Sequence, residues 1–99
     1  MLFLVVSTPR PERPSTVARS RQKYWRWIAP KLRSRQCRFV YARAGRGAVA
    51  LFEVQANEEL HALLNEWAEL IPAHFDVFPL IEPGAAQRYL KKRTRRGKP

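Results

Sequence analysis

Apolar residues along this chain recur with two different periods, and where the period changes predicts the order of its elements. Residues 2–7, Leu-Phe-Leu-Val-Val-Ser, form a branched and aromatic run that ends at Thr8-Pro9, as a strand does. Pro9, Pro11 and Pro14 make the next stretch an extended loop. Ser15 or Thr16 can cap a helix reaching to about Arg35, in which Val17, Tyr24, Trp27, Ile28 and Leu32 keep helical spacing. Pro30 falls inside it and is expected to kink or split it near Ala29, because proline lacks the N–H that bonds the preceding turn.

Residues 38–42 and 48–54 read as the two strands of a hairpin turning at Gly45-Arg46-Gly47. Asn57 is expected to cap a second helix, with Glu58 and Glu59 in its first turn and Leu60, Leu63, Leu64 and Trp67 as its apolar stripe. Pro72 stops that helix, and residues 74–81 form a fourth strand. Pro83 opens a short third helix over residues 84–91. The chain thus divides into a domain of residues 1–90 and a basic tail of residues 91–99, expected to be disordered.

The order β-α-β-β-α-β predicts an α+β, ferredoxin-like domain with a four-stranded antiparallel sheet and both helices on one face. A sheet whose other face meets water alternates apolar with polar residues. Here both alternating sets of the first strand, Leu2/Leu4/Val6 and Phe3/Val5/Ser7, are mostly apolar, and so are both sets of the third, Ala48/Ala50/Phe52/Val54 and Val49/Leu51/Glu53. A bare apolar face of this kind predicts a homodimer or higher homo-oligomer, two sheets meeting across a two-fold axis.

Composition changes the picture at three points. The net charge is +11, with twelve bases and one acid in residues 1–50, seven acids and one base in 51–90, and six bases in 91–99. The basic first helix, with Arg19, Arg21, Lys23 and Arg26 among Tyr24, Trp25 and Trp27, and the basic tail allow a competing reading as a nucleic-acid-binding module. The single cysteine, Cys37, excludes an internal disulfide and a multi-cysteine metal site, and fits a reducing cytoplasm. The apolar start is too short for a membrane span, so no membrane partner is expected.

The run Ala50-Leu51-Phe52-Glu53-Val54, then Asn57-Glu58-Glu59-Leu60-His61-Ala62-Leu63-Leu64, then Ile71-Pro72 and Phe75-Asp76-Val77 resembles the muconolactone isomerase family, as do the opening Met1-Leu2-Phe3 and the chain length. The resemblance covers roughly residues 1–83. It implies a dimeric α/β-barrel that shifts a double bond within an unsaturated lactone during aromatic-compound breakdown, without metal or organic cofactor. The expected ligand is then a small, mostly apolar organic acid or lactone. A non-catalytic structural member of the superfamily is the further alternative.

A double-bond shift needs a base beside an activated carbonyl and a donor or cation facing the developing enolate. The candidate catalytic bases are His74, which shares a strand face with Asp76, and Glu53, which alternates with Leu51 and Val49. Tyr41 and Arg43, alternating with Phe39, are expected to hold a substrate carboxylate. Trp25, off the main apolar stripe of its helix, is expected to cover a pocket or pack against the partner subunit. Tyr24 and Trp27 read as core, and His61 flanks the stripe of its own helix. These residues predict a cleft between the helices and the sheet rim holding Tyr41, Arg43, Glu53 and His74.

Overall fold

The computed structural model describes residues 1–96. The elements run β1 (Leu2–Pro9), α1 (Ala18–Ser34), β2 (Cys37–Ala42), β3 (Ala48–Glu53), α2 (Asn57–Leu70), β4 (Ala73–Leu80) and α3 (Pro83–Arg96). The strands form one antiparallel sheet in the order β2-β3-β1-β4, the ferredoxin-like arrangement.

The core follows from strand alternation. Phe3, Val5 and Ser7 of β1 and Ala48, Ala50 and Phe52 of β3 point to one face and are buried there with Cys37 of β2. Helix α1 lays Tyr24 and Ile28 on that face, one turn apart, and α2 adds Leu60, Leu63 and Trp67. Trp67 anchors an aromatic cluster, with ring centroids 4.7 Å from Tyr24, 5.2 Å from Phe75 and 6.3 Å from Phe52.

Three helical details depart from the sequence expectation. Helix α1 is not split at Pro30 but runs unbroken from Ala18 to Ser34, with Ile28 before the proline and Leu32 after it both packed on the core. Its N-cap is Val17, without a side-chain hydrogen bond, since residues 14–17 are taken up in a turn closed by Thr16 N donating to Arg13 O at 3.0 Å. Ala56, not Asn57, is the N-cap of α2, and its N-terminal region is closed from inside. Glu59 Oε1 accepts from Gln55 N at 3.0 Å, and its Oε2 accepts from Gln36 Nε2 at 2.9 Å.

The pairing of β2 with β3 carries a bulge. Cys37 faces Phe52 and Phe39 faces Leu51, so β2 spends an extra residue, Arg38, on one step of its partner. This sends Cys37 to the core and turns Phe39 and Tyr41 to the open face. Arg38 swings to the sheet end, where its Nε donates to Glu53 Oε1 at 2.7 Å and its Nη1 to Glu82 Oε1 at 3.1 Å.

The open face is apolar across its middle. Leu4, Val6, Val49, Leu51 and Phe39 are only partly covered, while Phe78 is 50% and Tyr41 69% exposed. Polar pairs stand at its two ends: Arg38–Glu53–Glu82 at one, and His74 with Asp76 at the other.

Helix α3 leaves the domain and makes no extensive contact with the other elements. The radius of gyration is accordingly 17.2 Å, where a compact chain of this length has about 13 Å. The basic segment expected to be disordered from residue 91 is therefore helical to Arg96; lysine and arginine are good helix formers, and Thr94 Oγ1 donates to Leu90 O at 2.9 Å. Residues 97–99 lie outside the described residues. No helix among the described residues is long and apolar enough to cross a membrane.

Candidate functional site

The helix-side face of the sheet is lined by small residues where β1, β3 and the hairpin loop meet. Ser7, Ala42, Gly47 and Ala48 leave a cleft of about 230 Å³ beneath the N-terminal half of α1. Larger side chains cannot replace them all: a Cβ on Gly47 would stand 2.2 Å from Ser7 O, and Gly47 has φ +95°. The loop itself is short and tied, with Arg43 N donating to Gly47 O at 2.9 Å and Arg46 N to Arg43 O at 3.1 Å.

The walls are aromatic. Tyr24 and Trp67 are both 2% exposed and form the inner wall, while Trp25, 44% exposed, stands at the mouth with its ring edge-on to Tyr24 at 5.3 Å. Ser7 uses its hydroxyl on the sheet, accepting from Ala48 N at 2.9 Å. The Tyr24 hydroxyl is buried and has no hydrogen-bond partner among the described residues. Burial, with the nearby Cys37 thiol adding to it, pushes its ionisation up, so Tyr24 is a neutral donor at any physiological pH.

Three guanidinium groups, Arg21, Arg43 and Arg46, line the cleft, and no carboxylate or imidazole does among the described residues. Arg43 Nη1 donates to Ser7 O at 2.9 Å and to Thr8 Oγ1 at 3.1 Å, which fixes the side chain and leaves Nε and Nη2 without a bond among the described residues. Arg46 has φ +97°, a left-handed conformation that costs a residue with a Cβ free energy. Its Nη1 donates to Glu12 O, and its Nε is buried without a partner among the described residues.

Of the residues singled out in the sequence, Arg43 and Trp25 lie at this cleft. Tyr41, Glu53 and His74 do not; they lie on the opposite face of the sheet. The strand alternation explains the split. Tyr41 and Phe39 face the open side, but β2 ends at Ala42, so Arg43 belongs to the loop and no longer follows the alternation. Glu53 is engaged by Arg38, with Arg38 Nη2 at 2.5 Å from Oε1. His74 Nε2 lies 3.2 Å from Asp76 Oδ1, at the exposed end of β4. The expected gathering of Tyr41, Arg43, Glu53 and His74 in one cleft does not occur. The sequence placed Arg21 on the basic face of the first helix and Tyr24 in the core, and Arg46 only in the hairpin turn, none of them at a cleft. Arg46 between two glycines was the available signal; nothing in the spacing of α1 distinguishes Tyr24 from an ordinary core residue. No cluster of three or more metal-ligating side chains is found among the described residues.

A split β-α-β-β-α-β sheet, covered by helices on one face and bare on the other, defines an α+β protein with the ferredoxin-like fold. The chain belongs to the family described as Domain of unknown function (DUF3303), which matches residues 1–94. Among solved structures, it is similar to the 5-chloro-2-hydroxyhydroquinone dehydrochlorinase TftG from Burkholderia phenoliruptrix AC1100, determined in complex with 2,5-dihydroxybenzoquinone. The TM-score is 0.69 at 16% sequence identity, over 86% of this chain and 98% of that one. A likeness at this identity concerns the fold. A search of the curated proteins returned no match.

Proposed function

We propose that this chain binds a small organic acid or lactone in the cleft under α1, and that it does so as a homodimer joined through the open face of its sheet. The observation that carries the first part is a cleft with aromatic walls and three cations but no acid. Such a lining desolvates a flat ring and attracts a negative group. The fold neighbour, TftG, carries a flat oxygenated ring as its ligand, in keeping with this reading. The second part rests on the apolar middle of the open face, which a lone protomer leaves wet.

A double-bond shift of the muconolactone isomerase kind extends the proposal into chemistry. The cleft supplies half of what that reaction needs. The arginines are donors suited to a developing enolate. The proton acceptor is not in the lining, and His74 and Glu53 stand on the other side of the sheet. Binding is therefore the function proposed, with catalysis dependent on a base brought by the ligand itself or by the partner subunit.

A thermal-shift screen of aromatic acids and unsaturated lactones tests the binding. A ligand that binds only the folded chain raises the melting temperature. The expected result is a rise with several such compounds that Trp25→Ala and Arg43→Gln each reduce. No rise with any of them contradicts the proposal.

A further inference from the structure

The last helix has a charge pattern that the cleft does not use. Residues 83–96 hold six bases, Arg88, Lys91, Lys92, Arg93, Arg95 and Arg96, and no acid. Like charges three and four residues apart, such as Arg88 with Lys91 and Lys92, repel along a helix and weaken it. Bases on the body find acids: Arg38 bridges Glu53 and Glu82, and Arg10 lies 3.4 Å from Glu12. Arg88, Lys91, Lys92 and Arg93 are exposed and form no ion pair among the described residues.

Helix α3 is held at its root and free along its shaft. Glu82, just before it, has its carboxylate on Arg38 Nη1 at 3.1 Å, and its carbonyl accepts from Ala85 N at 3.0 Å and Ala86 N at 3.2 Å. Residues 87–94 are all exposed, and the molecule extends 64 Å against widths of 26 and 20 Å. A membrane surface or a flat protein partner calls for an apolar stripe along such a helix. The exposed shaft has two large apolar side chains, Tyr89 and Leu90, which are neighbours in sequence and so stand about 100° apart around the axis. The bases are spread as well: Arg88 and Lys92 share a face, and Arg93 is turned about 100° from Lys92. That distribution suits a partner that is negative on two sides. A helix about 10–12 Å across with its side chains matches a B-form major groove about 12 Å wide, which has a row of phosphates along each wall.

We infer that α3 is a DNA-binding arm that lies in the major groove of a duplex, with its bases on the phosphates. The inference is independent of the cleft and its ligand.

Fluorescence anisotropy of a labelled DNA duplex, titrated with the full chain over a series of salt concentrations, tests it. Four exposed bases on phosphates give a slope of log affinity against log salt of roughly −4 or steeper. Replacing Arg88→Gln with Lys92→Gln should weaken binding and make that slope shallower by roughly 2. Replacing Arg19→Gln with Arg26→Gln removes the same charge from exposed positions of α1 and should leave the slope unchanged. Circular dichroism of both variants should match the unaltered chain, because none of the four side chains is in the core. No binding to the duplex at low salt overturns the inference. An equal loss from the two pairs overturns it in favour of net charge alone. Stronger binding to phosphatidylserine vesicles than to the duplex, at equal concentrations of anionic groups, overturns it in favour of a membrane surface.

Discussion

Cys37 shows how position alone sets the chemistry of a residue. The bulge at Arg38 places its thiol in the core, fully buried, with Sγ 3.2 Å from Phe39 O. Burial raises its pKa from 9.0 to about 11, against an opposite pull from the backbone of Phe39 and Leu51. An acid that holds its proton longer when folded is lost from the stability balance as pH rises. Between about pH 9 and about 11 the unfolded chain has given up the thiol proton and the folded chain has not, so stability falls across that window. Urea unfolding at successive pH values should show this decline, and Cys37→Ala, though less stable throughout, should flatten it. Iodoacetamide should label the native thiol slowly and the urea-unfolded thiol fast. The sequence announced Cys37 as a small buried residue, which is what a strand position in an apolar run implies. It did not announce the unpaired Tyr24 hydroxyl, because helical periodicity reports which face is buried and not whether a hydroxyl finds a partner.

At the scale of elements, strand and helix order was legible because each element carries its own period. Boundaries were less so. Asn57 looks like a cap by composition, but the carboxylate of Glu59 serves the N-terminal region of α2 instead. Its pKa is lowered, first by the Gln55 N–H and next by Gln36. A carboxylate lowered in the folded state contributes stability that is present above its unfolded value and is lost as pH falls through the folded one. Acid unfolding should therefore include a contribution from Glu59 below about pH 4.5. Glu59→Gln should show a shallower loss of stability on acidification than the unaltered chain, measured by circular dichroism; an unchanged acid limb would contradict the role given to this side chain. The candidate cleft was legible only in part, for a related reason. Trp25 and Arg43 stand out in the sequence, but the face on which Arg43 works depends on β2 ending one residue before it.

For the whole molecule, the open face and the projecting α3 are the features a single protomer does not explain. Leu4 and Leu51 sit at the centre of that face, with Phe39 and the half-exposed Phe78 on its two edge strands. If two copies meet there, the species in solution has twice the 11.6 kDa of one chain. Phe78→Asp, at a side chain already half exposed in the protomer, should shift the sedimenting species to the single-chain mass while the circular dichroism spectrum stays unchanged. A single-chain mass for the unaltered protein would contradict the dimer.

The ligand cleft is the claim on which the functional reading stands, and its location can be read directly. In a two-dimensional ¹H–¹⁵N spectrum titrated with benzoate, the resonances that move should be those of Ser7, the Trp25 indole and the loop from Arg43 to Ala48, with Tyr41, His74 and α3 still. Movement confined to the open face or to α3, with the loop unperturbed, would mean that the cleft under α1 is not where this protein meets its ligand.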